Sequence, residues 1–247
     1  MFETVASVLV RFLVCFLIGS IPFAVLSMLG SGIDIRRVGS GNPGFNNVLR
    51  VSSRRAVLAL VGDMGKGYFA VWLVLRGWPA TAAQLGSHAW LAGSVATAWF
   101  YAFGAVLGHC FSPFLKFNGG KGIATSGGAM LVLHPIWAVV ALAYFTAARI
   151  TGGKLKWREA GTIASLTTWV LFPLLMFLFV GPQDAICAAV MLVFLVWRHK
   201  RNVQSLVFGP SRDVPGPLPA TTGPEGCENV PLPPQLTADD GQLTTDN

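Results

Sequence analysis

"GIATSGGAMLVLHPIWAVVALAYFTAARI", residues 122–150, is a 29-residue apolar run broken once, at His134-Pro135. Whether it crosses a membrane once or twice decides how the rest of the chain is laid out. Proline lacks a backbone donor and kinks or ends a helix, so the run reads as one bent span or as two helices. Other apolar segments lie at about 4–29, 56–76, 86–112, 160–180 and 183–198. Charge separates the two layouts. Arg36, Arg37, Arg50, Arg54 and Arg55 follow the first segment, and Lys116 and Lys121 follow the third. Arg149, Lys154, Lys156 and Arg158 precede the 160–180 segment, and Arg198, Lys200, Arg201 and Arg212 follow the last. With two helices in 122–150 there are seven spans, the N-terminus is outside, and all four basic loops share the cytoplasmic face. With one, the 149–158 loop and the C-terminal cluster fall outside, against the positive-inside bias. The expectation is an all-α, polytopic integral membrane protein of about seven transmembrane helices with its polar loops cytoplasmic. The two helices, about 12 and 15 residues, would be about 18 and 22 Å long at 1.5 Å per residue. Both must lean on neighbours or thin the bilayer.

Composition agrees. Hydrophobic residues make up 53% of the 247 and charged residues only 12%, about half the usual share for a soluble domain. The net charge of +7 is explained by basic loops facing the cytoplasm, and no nucleic-acid partner is implied. Cys15, Cys110, Cys187 and Cys227 are widely spaced, so neither a disulfide framework nor a metal site is expected. The N-terminus has no basic start or small-residue cleavage site, so the first segment reads as a retained span. From about residue 210 the character changes: eight of 15 prolines and six of 11 acidic residues fall in 210–247. A membrane domain over 1–209 and a disordered cytoplasmic tail over 210–247 are expected.

Three polar clusters gather on the cytoplasmic face of this layout. "RRVGSGNPGFNNVLR" (36–50) offers Ser40, Asn42 and Asn47 as neutral partners, Gly44 among its turn glycines, and the Arg50 fork, a set suited to a phosphate or a polyol. "GHCFSPFLKFNGGKGIAT" (108–125) places Lys121 among Gly119, Gly120 and Gly122 at the start of a helix. Bare glycines there would let backbone amides approach an anion at the positive end of the helix dipole. The spacing is not that of a P-loop, so nucleotide hydrolysis is not implied. "WRHKRNVQSLVFG" (197–209) puts His199 and Asn202 three apart, on one face of a helix. Taken singly, each cluster is also an ordinary turn or basic stop beside a span. Outside the tail the carboxylates are Glu3, Asp34, Asp63, Glu159 and Asp184. Asp63 pairs with Lys66 at a spacing of three inside the second span, a structural ion pair more than a catalytic acid. Arg11, in the first span, is expected to snorkel outward.

Together these stretches, with "GSIPF" at 19–23 and "HKRNV" at 199–203, resemble the bacterial acyl-phosphate:glycerol-3-phosphate acyltransferases, the PlsY family, over about residues 10–210. Asn46, Ser205 and Ser211 depart from the family pattern. The resemblance implies seven spans in the bacterial inner membrane with a cytoplasmic active site. It implies transfer of a fatty acyl group from acyl phosphate to sn-glycerol 3-phosphate, the first acylation of phospholipid synthesis, without metal or cofactor. Ser40, Arg50, Lys121 and His199 match the family's catalytic positions. Asn42, Gly44, Asn47, Gly119, Gly120, Gly122 and Asn202 match its substrate- and phosphate-binding positions. It also points to substrate-assisted proton transfer, with His109 or His199 as the rival base. A membrane carrier for a small phosphorylated anion, or an acyltransferase using acyl-CoA or acyl carrier protein, is the alternative. No feature sets an oligomeric state.

Overall fold

The computed structural model describes residues 2–77 and 94–209. The expected tail over 210–247 and the first part of the 86–112 segment lie outside the described residues. Among those residues every regular element is helical: α1 Phe2–Gly19, α2 Phe23–Leu26, α3 Phe45–Val48, α4 Ser53–Trp72, α5 Val95–Cys110, α6 Ile123–Leu133, α7 Pro135–Lys154, α8 Ala160–Phe179, α9 Pro182–Arg198 and α10 Lys200–Phe208. Five stretches are long and apolar enough to cross a membrane: Val5–Leu26, Ser53–Arg76, Val95–Leu115, Pro135–Lys154 and Ala160–Phe179. Of the remaining helices, α9 has 17 residues and α6 has 11.

The deciding stretch divides where proline predicts. His134 leaves the helical region (φ −139, ψ 65) and Pro135 opens α7, a position where its missing N–H has no helical acceptor to lose. The lengths differ from expectation. α6 is short, but α7 runs 20 residues, through Gly152 and Gly153 to Lys154, and needs no thinning of the bilayer. α6 compensates by close packing. A methyl on Gly128 would run into the Met64 carbonyl of α4, and one on Gly67 of α4 into the Thr125 carbonyl. Small residues that let backbones touch are the usual adhesive between membrane helices.

A second break, at Ser20–Pro22, separates α1 from α2. In a bilayer the carbonyls it frees need internal donors. Ser112 Oγ donates to Ser20 O at 2.6 Å and Lys66 Nζ to Ile21 O at 2.6 Å. Behind these contacts Val71, Val106, Met130, Trp169, Met176 and Leu195 form the largest buried apolar cluster, while Leu58, Val61, Phe177 and Val193 face outward, as a lipid-contacting surface requires. Arg11 corrects an expectation: it is buried beside Tyr101 of α5 and does not snorkel. At the far end of α6, Asp184 Oδ1 accepts from Trp99 Nε1 at 2.8 Å and lies 2.9 Å from His134 Nε2. That contact ties α5, α9 and the helix break together.

Candidate active site

The opposite end of α6 gathers all three polar clusters. In the first, Gly39 (φ +56) and Gly41 (φ +65) take left-handed backbone that other residues resist. Asn47 of α3 holds the resulting loop: its Nδ2 donates to Ile35 O and Val38 O, both at 2.9 Å, and its Oδ1 accepts from Ser40 N at 3.1 Å. Its polar atoms therefore serve the backbone, not a ligand. Ser40 and Arg50 stand exposed on the rim, with the Arg50 guanidinium close to Gly39.

The second loop departs from the simple picture of bare amides. Gly119 N donates to Cys110 O and Gly120 N to His109 O, each at 3.1 Å. A side chain on Gly119 would strike the His109 and Cys110 backbone, and one on Gly120 the His109 ring. These glycines permit close approach to the end of α5; they do not expose amides. The free amides come next. Gly122 (φ +90) opens α6, and among the described residues nothing accepts from the N–H groups of Gly122, Ile123 and Ala124. They carry the positive end of the helix dipole. Arg198 grips the loop from its far side, donating to Gly120 O at 2.8 Å and lying 4.9 Å from the Phe111 ring centre.

Lys121 is half-buried, with Nζ donating to Asn202 Oδ1 of α10. Burial lowers its pKa to about 8, so it remains a cation near neutrality. His199, between α9 and α10, is buried, and its Nδ1 lies 2.8 Å from Leu195 O. A carbonyl can only accept, so Nδ1 carries the proton and Nε2 the lone pair. Burial depresses this ring to about 4, leaving it neutral at physiological pH and a weak base.

One residue escaped the sequence reading. Glu159, just before α8, accepts from Asn202 Nδ2 at 2.5 Å, Thr162 Oγ1 at 3.0 Å and Ser205 Oγ at 3.4 Å. It holds a left-handed backbone (φ 53), unusual for a residue with a side chain. No local signal marks its part at the site, because Asn202 and Ser205 lie more than forty residues on in the chain. It explains Ser205: the hydroxyl there meets a carboxylate supplied from another loop.

Ser40, Asn42, Gly44, Asn47, Arg50, Gly119, Lys121, Gly122, His199 and Asn202 all line one cavity of about 1780 Å³. Gly120 is buried behind it, against His109. Further cations, Arg149, Lys156, Arg198 and Arg201, share the lining, against two carboxylates, Asp63 and Glu159. The same cavity continues along apolar wall from Met130 and Leu131 to Leu142, Phe145, Trp169 and Phe172. A cationic mouth joined to an apolar slot suits a molecule with an anionic head and a hydrocarbon tail.

Comparison with known proteins agrees with this geometry. The profile of the family described as glycerol-3-phosphate acyltransferase matches residues 9–209. The glycerol-3-phosphate acyltransferase of Burkholderia multivorans is 36% identical over 216 residues, covering 82% of this chain and 88% of the relative. That of Paraburkholderia xenovorans is 37% identical over 205 residues, covering 79% and 86%. Two crystal structures of PlsY, an integral membrane glycerol 3-phosphate acyltransferase, are similar in fold. The glycerol 3-phosphate form has a TM-score of 0.68 at 27% identity and the lysophosphatidic acid form 0.66 at 26%; each match covers 82% of this chain and 93% of the other. The chain belongs to the glycerol-3-phosphate acyltransferase family.

Proposed function

We propose that this member of the family moves a fatty acyl group from acyl phosphate to sn-glycerol 3-phosphate, giving 1-acylglycerol 3-phosphate and inorganic phosphate. The observation that carries the reading is the single cavity joining a cationic mouth, with free helix amides, to an apolar slot. The donor and the product both have that shape.

Acyl phosphate is a mixed anhydride, already activated toward an alcohol. The protein's tasks are then to hold two phosphates close together and to stabilise charge on the departing one. Lys121 and the α6 amides suit the donor's phosphate, and Arg50 with Ser40 on the rim suits the second. Asn202 is oriented by Glu159, so that its carbonyl faces Lys121. The glycerol hydroxyl attacks the acyl carbon, and the bond from that carbon to the phosphate oxygen breaks. The hydroxyl proton passes to a phosphate oxygen. His199, neutral, with its lone pair on Nε2, suits accepting a hydrogen bond from the hydroxyl better than removing its proton.

Basic residues from four segments, among them Arg36 and Arg50, Lys121, Arg149 and Lys156, and Arg198 and Arg201, gather around one mouth. That supports seven spans, an outside N-terminus and a cytoplasmic site in the bacterial inner membrane, with residues 1–209 as the acyltransferase unit. The test is purified protein with glycerol 3-phosphate and synthetic acyl phosphate, following phosphate release. Transfer from acyl phosphate and none from acyl-CoA is expected. Transfer from acyl-CoA alone would replace the donor, and phosphate flux across proteoliposomes without acyl transfer would replace the reaction.

A further inference from the structure

Beneath the glycine loop lie three ionisable side chains with almost no access to water. Asp63 and Lys66, on one face of α4, are 2% and 4% exposed and pair at 2.8 Å. Lys66 Nζ is also tied to Ile21 O at the break after α1. His109, near the end of α5, turns Nδ1 toward Asp63, 3.5 Å from its Oδ1. Its other edge faces the loop: the three atoms nearest to a Cβ built on Gly120 all belong to this ring, Nε2 first. The next residue is Lys121. From the opposite side Arg198 binds Gly120 O at 2.8 Å, so the loop is held between an imidazole and a guanidinium.

Taking ions out of water costs several kcal/mol each before pairing offsets it. Ionisable groups kept within membrane helices mark functional positions more often than packing needs. This cluster also borders the cavity, through Asp63 and His109. We propose that Asp63 and Lys66 are positioning residues acting through His109. The pair, anchored on the carbonyl of Ile21, sets the plane of the imidazole. That ring is the seat on which Gly119–Gly122 presents Lys121 and the α6 amides to a phosphate. The inference deepens the phosphate-binding reading and rests on it. It also gives His109 a part other than base, since the edge that would take a proton is covered by Gly120.

The ring and the glycine make the test. Gly120→Ala drives a methyl into the imidazole, and His109→Ala removes what it strikes. For a seat, Gly120→Ala alone lowers kcat/KM about 100-fold, the cost of moving a positioning group by about an ångström. The double variant His109→Ala/Gly120→Ala is expected to recover about tenfold over Gly120→Ala, because residues in contact are not additive. The losses fall on KM for acyl phosphate more than on kcat. They also appear without turnover, as weaker protection of Lys121 from an amine-reactive reagent by inorganic phosphate. His109→Gln, whose amide keeps a donor on the side of Asp63, loses less protection than His109→Ala. Multiplicative effects of the two substitutions, or a His109→Ala loss confined to kcat with protection unchanged, would overturn the proposal. If Gly120→Ala gives no folded protein, Asp63→Asn and Asp63→Leu carry the test. Asparagine keeps an acceptor beside Nδ1 and retains protection that leucine loses; equal protection in both overturns the proposal. A wild type protected by phosphate that transfers no acyl group removes the reaction and leaves this inference standing. Absence of protection in the wild type removes the phosphate-binding reading and this inference with it.

Discussion

The two ends of α6 are built from similar materials and finished in opposite ways. At its C-terminal end His134, Trp99 and Asp184 satisfy one another, at 2.8 and 2.9 Å, among the rings of Phe172 and Trp169. At its N-terminal end Gly122 leaves amides without acceptors among the described residues, and cations outnumber carboxylates around the cavity. Polar groups that close on each other fasten helices. Polar groups left with unfilled capacity, with positive charge in excess, are ready for a ligand. The comparison predicts that substitutions at one end change turnover and at the other change stability.

The largest effect belongs to Lys121. Lys121→Ala is expected to lower kcat about 10²–10³-fold, the range for removing one preorganised donor from a developing negative charge, with the melting temperature nearly unchanged. A loss below tenfold would break the comparison at its functional end. Glu159→Ala comes next. Without the carboxylate Asn202 is free to turn away from Lys121, and a loss of about tenfold in kcat/KM is expected, since a displaced positioning group costs up to about 100-fold. Glu159→Gln, which keeps an acceptor for Asn202, should recover most of it; equal losses in the two variants would assign Glu159 a role through its charge alone.

The pH profile sharpens the same end. Burial lowers Lys121 to about 8, so its positive charge is present below that pH and is lost as pH rises through it. Phosphate affinity should therefore fall above about pH 8, and Lys121→Arg should move that limb upward, because a guanidinium keeps its charge. His199, depressed to about 4, stays neutral over the usual assay range, so no acid limb from it is expected between about pH 5 and 8. A limb near 6.5 lost in His199→Gln would restore the histidine as base.

The smallest effect on turnover is expected at the other end. Asp184→Ala leaves Trp99 Nε1 and His134 without their acceptor, a cost of about 1–3 kcal/mol for buried donors. Thermal unfolding in detergent should shift down, while kcat per folded molecule stays within about twofold, because Asp184, Trp99 and His134 themselves line no part of the cavity. A large fall in kcat at unchanged stability would show that the latch communicates with the cavity.

Much of this protein is legible along the chain because the signals are local. Runs of apolar residues define membrane helices, proline breaks 122–150 at His134, and glycine, asparagine and arginine clusters mark the loops that meet at one mouth. Asp63 and Lys66 pair as their spacing of three demands. What the tertiary structure decided concerns partners distant in sequence. Gly119 and Gly120 read as bare amides in isolation, yet their N–H groups bind the end of α5, and their lack of side chains makes room for His109. Glu159 has no assigned part along the chain until α10 brings Asn202 and Ser205 to it. Arg11 reads as snorkelling until Tyr101 of α5 is placed beside it. Propensity and hydropathy are properties of a segment, whereas the use of a glycine or the partner of a charge depends on which helix packs against it.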